Sequence, residues 1–299
     1  ADAVYQNIDI IRDHHPKYVL VLAGDHIYKM DYAALIMDHI RMGSPVTVAC
    51  IPVPKSQANA LGVMKINEDN LITEFVEKPE NPASMPGNPD MSLASMGIYV
   101  FDADFLYDTL DKDAANPNSH RDFGKDIIPA LVNERLVHAH DFSKSCIRNR
   151  GNKSIFYWRD VGTIDAYWAA NMDIASVQPQ LDLYDTYWPI WTNQVQQPPA
   201  KYVQDINGTS SIVRNSECSA GCIISGSSIN QSVLFTQVRV HSNCYLSESV
   251  ILPFCIIHRG CRLTKVILDR GVELPRNLII GEDPVADARR FYRSEGGVT

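Results

Sequence analysis

The chain has 299 residues, of which 45% are hydrophobic and 21% charged, and its formal net charge is −8. These values are typical of a globular protein long enough for two domains, and the acidic balance argues against nucleic acid or an anionic membrane as its main partner. The 7 cysteines are odd in number and include no C-x-x-C pair, which argues against a disulfide framework and a zinc site and predicts reduced thiols in a cytoplasmic protein. No apolar run approaches the roughly 20 residues of a membrane-spanning helix.

Residues 1–175 alternate between predicted helices and strands. An opening helix over 1–16 places Val4, Ile8 and Ile11 on one face. Continuous apolar runs at 18–24 and 46–53, separated by a helix at 32–42, are typical of strands buried on both faces of a parallel sheet. Further strands are predicted at 62–66, 72–77, 95–101 and 157–159, and further helices around Phe105 and Leu110, at 125–133 and at 164–175, the last with Thr163 as its N-cap. The pattern predicts an α/β domain with a mostly parallel sheet over 1–175.

Residues 176–205 differ in composition from what precedes them. The segment carries four prolines, yet it also contains Trp188 and Trp191, which a flexible linker rarely has. We interpret it as an ordered connector packed between the first domain and a second domain at 206–299.

A 17-residue repeat follows Cys222. Three blocks align without gaps at 223–239, 240–256 and 257–273, with a partial fourth from Leu274. Aliphatic residues recur at position one (Ile223, Val240, Ile257, Leu274), position seven (Ile229, Leu246, Leu263, Ile280) and position twelve (Leu234, Ile251, Leu268). Position four alternates glycine and asparagine (Gly226, Asn243, Gly260, Asn277), which suits a corner with positive φ. Three short strands per coil, each with one inward aliphatic side chain, predict a parallel β-helix of the hexapeptide type.

Two acidic residues follow predicted strands of the first domain. Asp25 comes directly after the first apolar run and Gly24, and Asp160 follows the strand at 157–159. Because α/β sheets bind ligands at the carboxyl ends of their strands, the two carboxylates are candidates for a shared Mg²⁺ site. The alternative for each is a purely structural role, Asp25 in a turn or helix cap and Asp160 in the turn before Gly162.

Glu77 and Lys78 end the strand at 72–77 and precede Pro79. A lysine there can pair with a phosphate, and the glutamate can accept hydrogen bonds from sugar hydroxyls. The alternative is a solvated surface pair. No Ser/His/Asp or Cys/His set is evident. His241 and His258 share position two of successive coils and should therefore stack. They are either a surface pair without catalytic function or, as a coil histidine is in β-helix acyltransferases, a catalytic base.

Several longer motifs resemble one family, the bacterial glucose-1-phosphate adenylyltransferases, also called ADP-glucose pyrophosphorylases. They extend over the whole chain and are LAGDHIYKMDY (22–32), FVEKP (75–79), SLASMGIYVFD (92–102), HRDFGKDIIP (120–129), YWRDVGTIDAYW (157–168) and DARRFYRSE (287–295). The resemblance implies a Rossmann-like nucleotidyltransferase domain followed by a left-handed parallel β-helix.

The resemblance also implies an activity and a set of site residues. The family transfers the adenylyl group of ATP to α-D-glucose 1-phosphate, which gives ADP-glucose and pyrophosphate for glucan synthesis. It implies that Asp25 and Asp160 bind Mg²⁺ and that Lys78 is catalytic. Gly62, Glu77, Lys78 and Ser95 are then expected to contact glucose 1-phosphate, and Arg270 to lie in an allosteric site for phosphorylated metabolites or nucleotides. A homotetramer is expected.

Two departures from the family pattern affect these expectations. The family's glycine-rich nucleotide loop would precede Ala1, and the family usually continues past Thr299. We therefore expect these 299 residues to be a fragment that is inactive alone. Three other hypotheses remain: a nucleotidyltransferase that uses another nucleoside triphosphate, a catalytically silent regulatory subunit, and a β-helix acyltransferase.

Overall fold

The structure is a computed structural model that describes residues 1–148, 156–193 and 195–299. The chain forms two units, Ala1–Gly24 with Lys29–Ile147, and Asp25–Tyr28 with Arg148–Thr299. The helices of the first unit are α1 (Asp2–Tyr5), α2 (Ile8–Asp13), α3 (Tyr32–Met42), α4 (Lys55–Ala58), α5 (Ala103–Ala115) and α6 (Ile128–Asn133). Its strands are β1 (Tyr18–Val21), β3 (Val46–Pro54), β4 (Gly62–Ile66), β5 (Ile72–Glu77), β6 (Met91–Asp102) and β7 (Val137–Asp141), and β2 (His26–Tyr28) belongs to the second unit.

The sheet of the first unit is mixed, so the expectation of a mostly parallel sheet is wrong. Its strand order is β5-β4-β6-β3-β7, and β1 also pairs with β6. Only β3 and β7 are parallel, whereas β6 runs antiparallel to β1, β3 and β4, and β4 antiparallel to β5. A continuous apolar run reports burial on two faces and contains no information about strand direction. The α/β class itself is confirmed.

The core of this unit lies on both faces of β6. One face carries Tyr99 and Phe101, which pack with residues of α5 and α6 such as Leu106 and Ile128. The side chains of Met96 and Ile98, at alternate positions, are fully buried. By contrast, all four residues of β1 are only half-buried, which differs from the predicted burial on both faces.

Several helices and strands differ from the ranges predicted for them. The opening helix is interrupted between α1 and α2, and β2 and β7 are not predicted. The predicted helix at 125–133 begins as a π-helical turn, Phe123–Ile127, before α6. The strand predicted at 157–159 is β8 (Trp158–Asp160), and Thr163 caps α7 (Ile164–Ile174) through a 3.2 Å hydrogen bond from the Ala166 N–H.

The remaining strands build a parallel β-helix, as the repeat predicts. They are β9 (Lys201–Val203), β10 (Ile212–Arg214), β11 (Glu217–Cys218), β12 (Ile223–Ser225), β13 (Ser228–Asn230), β14 (Val233–Leu234), β15 (Arg239–Val240), β16 (Tyr245–Ser247), β17 (Val250–Ile251), β18 (Ile256–Ile257), β19 (Arg262–Thr264), β20 (Ile267–Leu268), β21 (Glu273–Leu274) and β22 (Ile279–Ile280), followed by helix α8 (Pro284–Ala288). They form three parallel sheets, β10-β13-β16-β19-β22, β11-β14-β17-β20 and β21-β18-β15-β12-β9.

The predicted columns of inward side chains are present in the β-helix, but one predicted pairing is wrong. Leu246 pairs with Ile229 on one side and Leu263 on the other, as position seven requires. At position one, however, Val240 pairs with Ile224 rather than Ile223, because the first coil is one residue shorter there. The turn-tolerant set at position four has positive φ throughout, at Gly226 (49°), Asn243 (63°), Gly260 (77°) and Asn277 (62°).

The predicted connector contains both buried and exposed residues. Leu181 is buried, whereas the Trp191 side chain is 90% exposed. Strand β9 lies within the range 176–205 and is already paired with β12 in the β-helix. Among the described residues, no helix combines the length and the apolar composition needed to cross a membrane.

Candidate functional site

Asp25 and Asp160 are brought together by a two-stranded antiparallel ribbon in the second unit. Strands β2 and β8 pair so that His26 lies directly opposite Asp160 and Tyr28 opposite Trp158. Beyond the last pair, the Val161 N–H donates a 2.9 Å hydrogen bond to the Asp25 carbonyl oxygen. The two acidic residues therefore occupy the same end of the ribbon, although 135 positions separate them in sequence.

Their carboxylates flank Gly162. A β-carbon at Gly162 would lie 3.1 Å from Oδ1 of Asp160 and 3.2 Å from Oδ2 of Asp25. The Gly162 N–H also donates a 2.8 Å hydrogen bond to Oδ1 of Asp160, which fixes that carboxylate over the turn. One potential ligand atom from each of Asp25, His26 and Asp160 lies within 4.8 Å of the other two. The absence of a side chain at Gly162 thus keeps open the space that the carboxylates face.

A second cluster lies in the first unit and centres on Glu77. Gly62 pairs with Glu77 across β4 and β5. Oε2 of Glu77 would lie 2.8 Å from a β-carbon at Gly62 and 2.7 Å from one at Gly124. The carboxylate is therefore held between two glycines, and a larger residue at either position would displace it.

Burial and charge shape the chemistry of this cluster. Burial, together with the nearby charge of Asp122, raises the pKa of Glu77, although Lys78 and Lys125 oppose the shift. Burial also raises the pKa of Tyr99 to about 12, despite a hydrogen bond with Ser95 that lowers it. A carboxylate that has lost water and lies beside a neutral phenol and a hydroxyl suits a ligand that offers hydroxyl donors.

The structure brings Gly62, Glu77 and Ser95 into this cluster. Ser95 belongs to it because its hydroxyl forms a hydrogen bond with Tyr99. Lys78 follows Glu77 with a positive φ of 49°, and its N–H donates a 3.0 Å hydrogen bond to the Leu61 carbonyl oxygen. A positive φ is uncommon for a lysine, and the surrounding structure maintains it here. Lys78 itself is exposed.

Tyr99, Asp122 and Gly124 join the cluster without having been predicted as site residues. Asp122 caps the π-helical turn by accepting hydrogen bonds from the Gly124 and Lys125 N–H groups, at 2.8 and 3.0 Å. The available signal is Asp122 in the motif HRDFGKDIIP, because Asp is a preferred residue at the N-terminal cap of a helix.

A Ser-His-Asp arrangement exists that the sequence does not reveal. His140 Nε2 lies 2.8 Å from Ser145 Oγ, and His140 Nδ1 lies 2.7 Å from Asp38 Oδ2. The three residues are 1–6% exposed, so no substrate reaches the serine hydroxyl. Asp38 also forms ion pairs with Arg41 and, at 3.9 Å, with Lys144. The network stabilises the contact between α3 and the segment after β7.

The histidines at position two of the β-helix stack as the repeat predicts. The rings of His241 and His258 lie 5.0 Å apart at an angle of 9°. His258 Nε2 contacts Oε1 of Glu273 at 2.7 Å. Burial and the neighbouring His258 lower the pKa of His241. Arg270, the residue expected in an allosteric site, is exposed, and its guanidinium lies 4.8 Å from the centre of the Phe254 ring.

Comparison with known proteins identifies both parts of the chain. Residues 1–177 match a family model described as nucleotidyl transferase, and residues 198–299 match one described as GlmU-like, C-terminal hexapeptide. Similar proteins named glucose-1-phosphate adenylyltransferase come from Rhodopseudomonas palustris (54% identical, 71% of its length), Pectobacterium carotovorum subsp. carotovorum (53%, 70%) and Paraburkholderia phymatum (55%, 70%), and each alignment covers 100% of this chain. The chain belongs to the glucose-1-phosphate adenylyltransferase family. The resemblance inferred from its motifs is thereby confirmed.

Nucleotidyltransferases of this kind generally use a divalent metal. The two carboxylates beside Gly162 are suitable ligands for such an ion. Hard divalent cations such as Mg²⁺ bind one or two carboxylates and complete their shell with water and phosphate oxygens. Asp25 and Asp160 supply two carboxylates, and Gly162 leaves room above them. The Asp25 side chain is 59% exposed, so a cation with its own water ligands has access.

Proposed function

We propose that this protein transfers the adenylyl group of ATP to α-D-glucose 1-phosphate and releases ADP-glucose and pyrophosphate. The proposal is carried by one observation: relatives with that enzyme name match the chain over its full length at 53–55% identity. The juxtaposition of Asp25 and Asp160 around Gly162 supports it, because this pair has the composition that metal-dependent phosphoryl chemistry requires.

The reaction requires positioning rather than a general base. An oxygen of glucose 1-phosphate, already anionic at neutral pH, forms a bond to the α-phosphorus of ATP while the bond to the β-phosphate oxygen breaks and pyrophosphate leaves. No proton has to be removed from the nucleophile, which agrees with the burial of the only Ser-His-Asp network found among the described residues. Catalysis then depends on alignment and on neutralisation of phosphate charge.

The carboxylates of Asp25 and Asp160 would hold Mg²⁺. The ion, when bound, neutralises charge on phosphate oxygens. The Gly162 N–H keeps Oδ1 of Asp160 fixed, and the Val161–Asp25 hydrogen bond fixes the backbone at the other carboxylate. Both acids are therefore preorganised by main-chain contacts.

The Glu77 cluster would bind the sugar phosphate. The enclosed carboxylate of Glu77 would accept hydrogen bonds from glucose hydroxyls, which replace the water it has lost. Lys78, at the exposed end of β5, would pair with the phosphate as a point charge. Ser95 and Tyr99 would add neutral hydroxyl groups to the same cluster.

Regulation and assembly are further parts of the proposal. Arg270 would contact an anionic effector, a phosphorylated metabolite or a nucleotide, because its guanidinium is exposed and stacked on Phe254. The expected assembly is a homotetramer, which sedimentation of the natural protein measures directly.

The test is a pyrophosphate-release assay on the natural full-length protein. Glucose 1-phosphate is supplied with ATP, UTP, CTP, GTP or dTTP in turn, and pyrophosphate is quantified. Release with ATP alone supports the proposal. Release with another nucleotide identifies a different nucleotidyltransferase, and no release with any of them favours a silent regulatory subunit.

A further inference from the structure

We propose that His26 is a third protein ligand of the metal, so that the site combines two carboxylate oxygens with one imidazole nitrogen. This inference rests on the proposed metal role of Asp25 and Asp160. It adds a prediction about metal choice, because an imidazole ligand favours first-row transition metals such as Mn²⁺ and Co²⁺ over Mg²⁺, which prefers oxygen ligands.

The strand register places His26 on the correct side of the ribbon. His26 is the direct cross-strand partner of Asp160. Side chains of directly paired residues project from the same face of an antiparallel sheet, with their β-carbons about 4.5–5.5 Å apart. Asp25 precedes His26 and reaches the same space through the turn at Gly162. Backbone pairing therefore places His26 beside Asp160, and the Asp25 side chain meets them at Gly162.

The separations among the donor atoms suit a bound cation better than a hydrogen bond. His26 Nε2 lies 3.6 Å from Oδ1 of Asp25, beyond hydrogen-bonding distance. All three ligand atoms lie within 4.8 Å of one another. In an octahedral site with bonds of about 2.1 Å, adjacent ligands are about 3.0 Å apart and opposite ligands about 4.2 Å apart. The 3.6 Å between His26 Nε2 and Asp25 Oδ1 lies between these two values, and 4.8 Å is only slightly above the larger one, so small side-chain movements would complete the site.

The environment of the imidazole supplies an independent indication. The His26 side chain is only 10% exposed, and its Nδ1 is buried without a hydrogen-bond partner among the described residues. The Trp158 ring packs against it edge to face, with centroids 5.1 Å apart. A buried histidine with neither nitrogen hydrogen-bonded costs stability. Coordination through Nε2, the nitrogen that lies 3.6 Å from Asp25 Oδ1, would give that nitrogen a partner and offset part of this cost, whereas Nδ1 would stay buried beside the Trp158 ring.

The experiment uses the full chain loaded with Mn²⁺ alone and detects nitrogen directly. Electron spin-echo envelope modulation of bound Mn²⁺ reports a coordinated ¹⁴N nucleus. We expect ¹⁴N modulation in the wild type and in the control variant His241→Asn, whose histidine lies on the β-helix, and no such modulation in His26→Asn. Repeating the measurement on wild-type protein with ¹⁵N-labelled histidine should replace the ¹⁴N signal, so the test does not depend on the variant folding.

Affinities provide the second readout. We expect His26→Asn to weaken Co²⁺ binding at least tenfold and Mg²⁺ binding less than threefold, whereas a residue that only oriented Asp25 would weaken both equally. Mn²⁺ that binds, is lost in Asp25→Asn and shows no nitrogen modulation overturns this inference and leaves the proposed carboxylate site intact. Mn²⁺ binding that Asp25→Asn does not change overturns both.

Discussion

The Val161 N–H donates a 2.9 Å hydrogen bond to the carbonyl oxygen of Asp25. This main-chain contact extends the pairing of β2 with β8 by one step and places Gly162 between the two carboxylates. The position of the acids is therefore determined by backbone pairing and by the lack of a side chain at one residue. Both features can be tested by substitution.

Gly162→Ala should weaken metal binding while the fold persists. The added β-carbon would lie 3.1 Å from Asp160 Oδ1 and 3.2 Å from Asp25 Oδ2, so at least one carboxylate must move. The φ of Gly162 is not in the left-handed region, so alanine is compatible with the backbone. Mn²⁺ affinity, measured by electron paramagnetic resonance, should fall at least tenfold. Gly24→Ala is the control, since a β-carbon there has no neighbour within 4 Å. Unchanged affinity in Gly162→Ala would show that a cation does not occupy this space.

Asp25→Asn and Asp160→Asn should each lower kcat of the natural full-length protein by a factor on the order of 10²–10³, by analogy with other electrostatic contacts in active sites. Each substitution keeps the shape of the side chain and removes one charge. Because Asp25 is largely exposed and both acids lie close together, the melting temperature should not decrease. Asp108→Asn, at an exposed position of α5, is the matched control and should leave kcat unchanged. A kcat near the wild-type value in Asp25→Asn would falsify the metal role.

The sequence predicted the acidic pair but not the partners of Glu77 or the buried histidine network of the first unit, for a physical reason. Both acids stand beside short runs that the sequence marks as strands, so Asp25 and Asp160 can be singled out from local pattern alone, although the structure places them on the β2–β8 ribbon and not at the edge of the main sheet. The partners of Glu77 cannot, because Gly124 and Asp122 reach it through the tertiary packing of a π-helical turn on β5. The Asp38–His140–Ser145 network is hidden for the same reason, since it depends on how α3 packs on β7.

The β-helix was more predictable than the α/β sheet because its contacts are periodic. A 17-residue repeat specifies which residues pair, so the column through Leu246 follows from the sequence. The exception is Ile223, where a single missing residue shifts the pairing to Ile224. In the mixed sheet no repeat exists, and the antiparallel direction of β6 is a property of the connections between strands.

Lys78→Gln should mainly raise KM for glucose 1-phosphate. A charge-assisted contact contributes about 1.5–3 kcal/mol, which corresponds to roughly a 10- to 100-fold increase. KM for ATP should change much less if Lys78 pairs with the sugar phosphate. The control is Lys112→Gln, at an exposed position near the end of α5. Equal effects of Lys78→Gln on both substrates, or no effect on either, would remove Lys78 from the proposed sugar-phosphate site.

Acid should destabilise the first unit through Asp38 and His140. Burial lowers the pKa of His140, although Asp38 opposes the shift. Burial alone would raise the pKa of Asp38, yet the hydrogen bond and charge of His140 bring it below its usual value. Below pH 6.5, the usual pKa of histidine, the unfolded chain binds the His140 proton more readily than the folded chain, so stability falls. The depressed pKa of Asp38 removes further stability below pH 3.8.

The measurement is urea unfolding at pH 7.5 and 5.5. The free energy of unfolding should decrease between these values in the wild type and decrease less in the double variant Asp38→Asn/His140→Gln. His15→Gln, at an exposed position, is the control and should keep the wild-type pH dependence. His39 is also buried with a lowered pKa, so part of the wild-type dependence should remain in the double variant. The same loss of stability in wild type and double variant would contradict the assignment.

Leu246→Ala should destabilise the β-helix by about 2–5 kcal/mol, the usual cost of removing a buried leucine side chain. Leu246 is fully buried, and its side chain is stacked between those of Ile229 and Leu263 in the neighbouring coils. Because each coil is stabilised mainly by its neighbours, a cavity at this position weakens two interfaces at once. Ile279→Ala is the control, because Ile279 is 44% exposed and precedes the buried Ile280 in β22. Hydrogen exchange of β-helix peptides in urea separates this transition from that of the first unit. If the two variants differ by less than about 0.5 kcal/mol, within the range of ordinary surface substitutions, the inward column does not stabilise the β-helix.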